Sequence, residues 1–123
     1  MALILLIDDD DQLRRMVKRV LEKEGHEVLE APDGRDINAL CGEHPVDLII
    51  TDVLMPHKDG LDILLEIRQA FPRMKVVVIS GGGPSMPSGG CLHLAVDLGA
   101  DAVIEKPISK KQLLEVVNGL VGT

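Results

Sequence analysis

Residues 2–11 read Ala2-Leu3-Ile4-Leu5-Leu6-Ile7-Asp8-Asp9-Asp10-Asp11, six apolar side chains that run without interruption into four aspartates. An unbroken apolar run of this length suits a strand buried on both faces, and the abrupt change to acids marks its arrival at a polar rim. Beyond the acids, Leu13, Met16, Val17, Val20 and Leu21 recur at helical spacing until Gly25 supplies a stop. A buried strand feeding an amphipathic helix is the building unit of a parallel α/β sheet.

The unit recurs along the chain. His26 to Ala31 alternates like a shorter strand, Pro32-Asp33-Gly34 turns the chain, and Ile37, Leu40 and Cys41 mark one face of a second helix. Val46 to Thr51 is a third strand, broken by Asp47 and ending, like the first, at an aspartate, Asp52. Met55-Pro56 and Asp59-Gly60 form a loop. Leu61, Leu64, Leu65 and Arg68 then lie along a helix with Ile63 and Ile67 beside them, and Pro72 ends it. Lys75 to Ile79 is the fourth strand, closing at Ser80, and the Gly- and Pro-rich stretch Gly81–Gly90 reads as a loop. Cys91 to Leu98 reads as a short helix stopped by Gly99, Asp101 to Glu105 as the fifth strand, and Lys106-Pro107 as its end. Ser109 with Gln112 forms a capping box for a last helix carrying Leu113, Val117, Leu120 and Val121. Five such repeats predict an α/β fold: a doubly wound, five-stranded parallel sheet with five helices shared between its faces.

At 123 residues and 46% hydrophobic content the chain has enough apolar material for one core, so a single domain over residues 1–123 with no separate output domain is expected. The formal net charge of −7 works against direct nucleic-acid binding, which needs Lys and Arg to displace counterions from phosphates. Six apolar residues before Asp8 are too few for a signal-peptide core or a membrane span, so a cytoplasmic protein is expected. Cys41 and Cys91 have no second ligand at metal spacing and read as packing residues, and His44 and His57 as solvated loop side chains. Phe71 is the only aromatic residue, leaving the core to aliphatic side chains.

Ligands of open parallel sheets bind at the carboxyl ends of the strands. Here the ends of strands one, three, four and five carry Asp8 and Asp9, Asp52, Ser80 and Lys106. Each alone has a bland reading, as a helix cap, a loop hydroxyl or a solvated ammonium. Their occurrence at successive strand ends of one sheet has no structural cause. Three carboxylates on one rim repel one another unless a cation neutralises them, and Mg²⁺ suits carboxylate, carbonyl and water ligands. Beside such an ion Asp52 could attack phosphorus and become an aspartyl phosphate, with Lys106 and Ser80 stabilising charge on the phosphoryl oxygens.

The segments Leu6-Ile7-Asp8-Asp9, Thr51-Asp52-Val53-Leu54-Met55-Pro56, Asp59-Gly60, Ile79-Ser80-Gly81 and Glu105-Lys106-Pro107 together resemble the bacterial response regulator receiver family over essentially the whole chain. The resemblance implies a flavodoxin-like sheet of order 2-1-3-4-5 and a chemotaxis-regulator-like, stand-alone receiver in a two-component phosphorelay. It implies Asp52 as phosphoacceptor, Asp9 as a direct Mg²⁺ ligand, Asp8 as a ligand through water, and the Leu54 carbonyl as a further ligand. Ser80 becomes the switch hydroxyl, Lys106 the phosphate-pairing lysine, and Lys106-Pro107 a cis bond. Leu54 and Gly82 would flank the path of the attacking water. The phosphoryl donor would be a histidine kinase or histidine phosphotransfer protein, and the output a change of protein partner by a monomer or weak dimer. Such a protein catalyses only its own aspartyl phosphorylation and dephosphorylation, and is otherwise no enzyme.

Two features depart from the family pattern. Val103 occupies the position three residues before Lys106 where relatives carry a swinging aromatic, and it is too small and stiff to do the same. The Gly81–Gly90 stretch is longer than in chemotaxis-type relatives, so ordering of that loop by Ser80 is the expected substitute for the swing. Two alternatives follow from the same residues. Asp8 and Asp10 fit the opening motif of a haloacid-dehalogenase-type phosphatase, although that reading leaves Asp52 to Pro56 without a role. Val103 leaves room for a degenerate receiver acting as a passive adaptor.

Overall fold

The computed structural model of the chain describes residues 2–52, 60–80 and 99–121, the side chains of residues 61 and 80 excepted. In chain order the elements are β1 (Leu3–Ile7), α1 (Asp11–Lys23), β2 (Glu27–Ala31), α2 (Ile37–Glu43), β3 (Leu48–Asp52), α3 (Gly60–Ala70), β4 (Lys75–Ser80), β5 (Ala102–Glu105) and α4 (Lys110–Val121). All neighbouring strands pair in parallel, in the order β2-β1-β3-β4-β5, as expected. The helix expected over residues 91–98 and the loop over 81–90 lie outside the described residues.

Successive side chains of a strand point to opposite faces, and this splits the apolar runs into two cores. Leu5, Ile7, Ile49, Val76 and Val78 pack with Ile37 and Cys41 of α2 and Ile63, Leu64 and Ile67 of α3. Ile4, Leu6, Leu48, Ile50, Val77 and Ile79 pack on the other face with Val17 and Leu21 of α1 and Leu113 and Val117 of α4. The central strands β1, β3 and β4 are covered on both sides, so their sequences are continuously apolar.

The element ends follow from local chemistry. Asp10 caps α1, its Oδ1 accepting from the backbone N–H groups of Gln12 at 3.0 Å and Leu13 at 3.1 Å. Gly25 leaves the same helix at φ +92°, a conformation that glycine adopts without strain. Ser109 Oγ accepts from the Gln112 N–H at 3.3 Å at the start of α4. Asp47 stands just ahead of β3, where its Oδ2 accepts from the Leu3 N–H at 2.9 Å and its own N–H donates to the Leu3 carbonyl at 2.8 Å.

The apolar stripes of α1 and α3 are narrower than the sequence predicts. Met16 is 41% exposed and Leu65 44%, correcting their expected place on the packed faces. The faces against the sheet are filled by Val17 and Leu21 on α1 and by Ile63, Leu64 and Ile67 on α3, and Met16 and Leu65, 100° round the helix from Val17 and Leu64, fall at their edges. Arg68 has a different partner set altogether. Its guanidinium donates to the carbonyls of Gly99, Pro72 and Met74 and pairs with Asp101 Oδ2 at 2.8 Å. No helix among the described residues is long and apolar enough to cross a membrane.

Candidate functional site

The site lies where β1 and β3 end side by side. Parallel pairing in the register Ile7↔Thr51 brings Asp8 and Asp52, each one residue further on, to the same rim. Both are buried, at 1% and 4% exposure, while Asp9 is exposed. One carboxylate oxygen from each of Asp8, Asp9 and Asp52 lies within 4.8 Å of the others. From the end of β5 the Lys106 ammonium reaches across and donates to Asp52 Oδ2 at 2.7 Å. The Lys106-Pro107 bond that follows is cis, as the resemblance implied.

Backbone contacts fix the acidic turn. The Asp8 N–H donates to the Ala31 carbonyl at 3.2 Å, extending the β1–β2 ladder by one bond. Asp8 Oδ1 accepts from the Asp10 N–H at 2.9 Å, and the Asp8 carbonyl accepts from Arg14 Nη1 at 2.6 Å. Asp10 itself is committed to capping α1 and does not join the acid cluster as the second acid of a phosphatase motif would.

The electrostatics are unbalanced. Burial pushes the Asp8 carboxyl above the usual carboxylate range; the negative charges of Asp52 and Asp9 push the same way, against the Asp10 N–H bond and the Lys106 charge. Burial works to lower the Lys106 ammonium, but the hydrogen bond and charge of Asp52, with Asp8 and Asp10 behind it, outweigh burial and raise it above the ordinary lysine value. Among the described residues, three carboxylates thus face one ammonium. The donors are all hard oxygens with a net negative charge, a set that fits a hard divalent cation.

Of the residues expected at the site, Asp8, Asp9, Asp52 and Lys106 are brought together. The main chain of Ser80 ends β4 at the same rim, in the registers Asp52↔Ile79 and Ser80↔Glu105, while its side chain and the whole of Leu54 lie outside the described residues. Val103 packs, half-buried, against the core beneath α2 and α3. Sequence reasoning passed over Arg14, whose guanidinium touches the Asp8 carbonyl; its i,i+3 spacing from Asp11 was the available signal.

A five-stranded parallel sheet of this order, with a lysine-paired aspartate flanked by two further carboxylates at its carboxyl rim, defines an α/β protein of the receiver type. Residues 4–118 match the family model described as the response regulator receiver domain, and the chain belongs to that family. It is 36% identical over 118 residues to the transcriptional regulatory protein CpxR of Klebsiella pneumoniae, a match covering 96% of this chain and 48% of CpxR. The chain therefore spans about half the length of its CpxR relatives. The chemotaxis protein CheY of Bacillus subtilis is 34% identical over 116 residues, which cover 94% of this chain and 93% of CheY. Among solved structures, a response regulator receiver domain protein from Clostridium thermocellum superposes with a TM-score of 0.90 at 32% identity, covering 99% of this chain and 95% of the other. Receiver domains are signalling domains of two-component systems that interact with histidine kinases and downstream targets, and nothing in the fold or the relatives favours the phosphatase alternative.

Proposed function

We propose that residues 1–123 form a single receiver unit in which Asp52 accepts a phosphoryl group from the phosphohistidine of a histidine kinase or histidine phosphotransfer protein. The observation that carries this reading is the 2.7 Å contact from Lys106 to an aspartate that shares a 4.8 Å cluster with Asp8 and Asp9. Asp8, Asp9 and Asp52, with the Leu54 carbonyl, would hold Mg²⁺. The ion, when bound, supplies charge neutralisation for the carboxylates and for the phosphoryl oxygens.

The chain's own residues divide the remaining work. Asp52 presents a carboxylate oxygen to phosphorus, and the P–N bond to the donor imidazole breaks, its electron pair staying on the ring nitrogen, as the P–O bond to Asp52 forms. Lys106, already at hydrogen-bond distance from Asp52, meets the negative charge on the transferred group. Ser80, whose role rests on the family pattern Ile79-Ser80-Gly81, donates to another phosphoryl oxygen. The output is a changed protein partner in the cytoplasm, and the only reaction catalysed is the chain's own phosphorylation and dephosphorylation.

Incubation with acetyl phosphate and Mg²⁺, followed by intact mass measurement, tests the reading. A gain of one phosphoryl group that disappears in Asp52→Asn is the expected result. A gain that survives in Asp52→Asn, or no gain in the unmodified chain, would overturn it.

A further inference from the structure

Arg14 makes contacts that the phosphoacceptor reading leaves unused. Its side chain is only 14% exposed, and each guanidinium nitrogen has a different partner. Nη1 donates to the Asp8 carbonyl at 2.6 Å, Nη2 to Asp11 Oδ1 at 2.7 Å, and Nε to Glu30 Oε1 at 3.3 Å. Glu30 is held in turn by Lys18 Nζ at 3.3 Å. One planar group therefore ties together the end of β1, the first turn of α1 and the edge strand β2.

We propose that Arg14 is a positioning residue of the acidic site, its guanidinium fixing the Asp8 carbonyl and with it the turn that aims the Asp8 and Asp9 carboxylates. The inference rests on the reading that these carboxylates hold a divalent cation. Its physical basis is the rigidity of the peptide bond. The Asp8 carbonyl oxygen lies in one plane with the Asp9 nitrogen and Cα, so holding the oxygen limits where the Asp9 side chain can start. Asp9 is the exposed member of the cluster and has no side-chain contact of its own among those described, so main-chain placement is what aims it. A guanidinium suits this task because its planar fork can satisfy three acceptors at once, which an ammonium on a flexible stem cannot do in the same geometry. Asp11 and Glu30 hold the group charged, outweighing the partial burial that works against it.

Positioning and bare charge make opposite predictions. As a nearby positive charge, Arg14 repels a cation, so its removal would tighten metal binding. As a strut its removal weakens binding, because groups that orient first-contact ligands typically contribute about 10–100-fold to metal affinity. Calorimetric titration of Mg²⁺ into the full chain distinguishes the two without any phosphorylation step. Arg14→Lys, which keeps the charge and loses the fork, and Arg14→Met, which loses both, are each expected to raise the Kd about tenfold. Hydrogen exchange at the Asp10 amide, which donates to Asp8 Oδ1, should speed up in both.

Should either variant fail to fold by circular dichroism, Glu30→Ala removes the outer acceptor of Arg14 Nε while leaving Arg14 in place, and is expected to raise the Kd about threefold, a fraction of the full effect. Asp9→Asn serves as the reference for the site itself. Weakened binding in Asp9→Asn beside an unchanged Kd in Arg14→Lys, or a tighter Kd in Arg14→Met, would overturn the positioning role alone. Unchanged binding in Asp9→Asn would overturn the metal reading and this inference together.

Discussion

The Lys106 ammonium sits 2.7 Å from Asp52 Oδ2, spanning the rim from the end of β5 to the end of β3. The Asp52 side chain is 6% exposed and that of Lys106 30%, so the contact is only partly screened by water. Lys106→Met removes one positive charge from beside the Asp52 and Asp8 carboxylates. It is expected to cost about 1–2 kcal/mol in urea unfolding without metal, below the full value for breaking a buried pair because Lys106 is partly exposed. The same variant should bind Mg²⁺ at least as tightly, since a positive charge has gone, yet accept phosphate from acetyl phosphate about a hundredfold more slowly. The lysine pKa is raised by folding, so its contribution to stability is complete below the ordinary lysine value and is lost as pH rises through the higher folded value. Tight metal binding with an undiminished phosphorylation rate would sink this account of Lys106.

Asp8 carries the opposite liability. Its pKa is raised by burial and by the neighbouring carboxylates, so folding favours the protonated form. Relative stability is therefore greatest at pH below the unfolded carboxylate value and declines as pH rises through the higher folded value. Asp8→Asn keeps an acceptor for the Asp10 N–H and removes the buried charge. The variant is expected to stabilise the metal-free chain at neutral pH by about 1 kcal/mol while weakening Mg²⁺ binding, the usual trade at a functional site. Thermal unfolding with and without Mg²⁺ checks both halves, and a destabilised metal-free variant would count against the unbalanced-charge view.

The five parallel strands and the acidic rim were legible because each rests on a local pattern, an apolar run and then an acid at the end of a strand, whereas the order of the strands came from the family resemblance. Asp8, Asp9, Asp52 and Lys106 could be placed together once five strand–helix units were counted, since parallel topology brings all strand ends to one edge. What escaped reading depends on partners far along the chain. Asp101 reads as the first residue of a strand, yet it pairs with Arg68, 33 residues away. His26 reads as a strand residue too, but it is buried and meets Asn118, 92 residues on. Met16 and Leu65 fit the helical period and still face solvent, because periodicity locates a stripe without giving its width.

Arg68 is the clamp beneath β4 and β5. Its guanidinium donates to the Pro72 carbonyl at 3.2 Å and, through Nε, to the Gly99 carbonyl at 3.0 Å, and it pairs with Asp101, whose Oδ2 also accepts from the Val76 N–H at 2.8 Å. Arg68→Ala should cost about 3 kcal/mol, since several charge-assisted bonds go at once, and Asp101→Asn about half of that. Gly99→Ala should be destabilising as well, because Gly99 sits at φ +103° and an added Cβ would meet Arg68 Nε at 3.1 Å. Urea unfolding measures all three. The acidic rim is at the opposite ends of the strands, so acetyl phosphate should label folded Arg68→Ala at an unchanged rate; a large loss of rate would show that the clamp reaches the site.

His26 joins three elements through one ring. Its Nδ1 lies 3.2 Å from the Ala2 N–H, ahead of β1, and its Nε2 lies 3.3 Å from Asn118 Oδ1 on α4. An amide N–H can only donate, so Nδ1 must accept, and the ring proton belongs on Nε2, where it donates to Asn118. Nitrogen-detected NMR of the ring should show this tautomer alone. Removing the ring while keeping the fold strands the Ala2 N–H, so His26→Leu should cost about 2 kcal/mol in urea unfolding despite its apolar, similarly sized side chain. Asn118→Ala removes the outer bond but leaves the Ala2 N–H its acceptor, so it should cost less than His26→Leu, about 1 kcal/mol. Equal losses in the two variants, or a proton on Nδ1, would mean that the ring does not bridge β1 to α4 as its two contacts indicate.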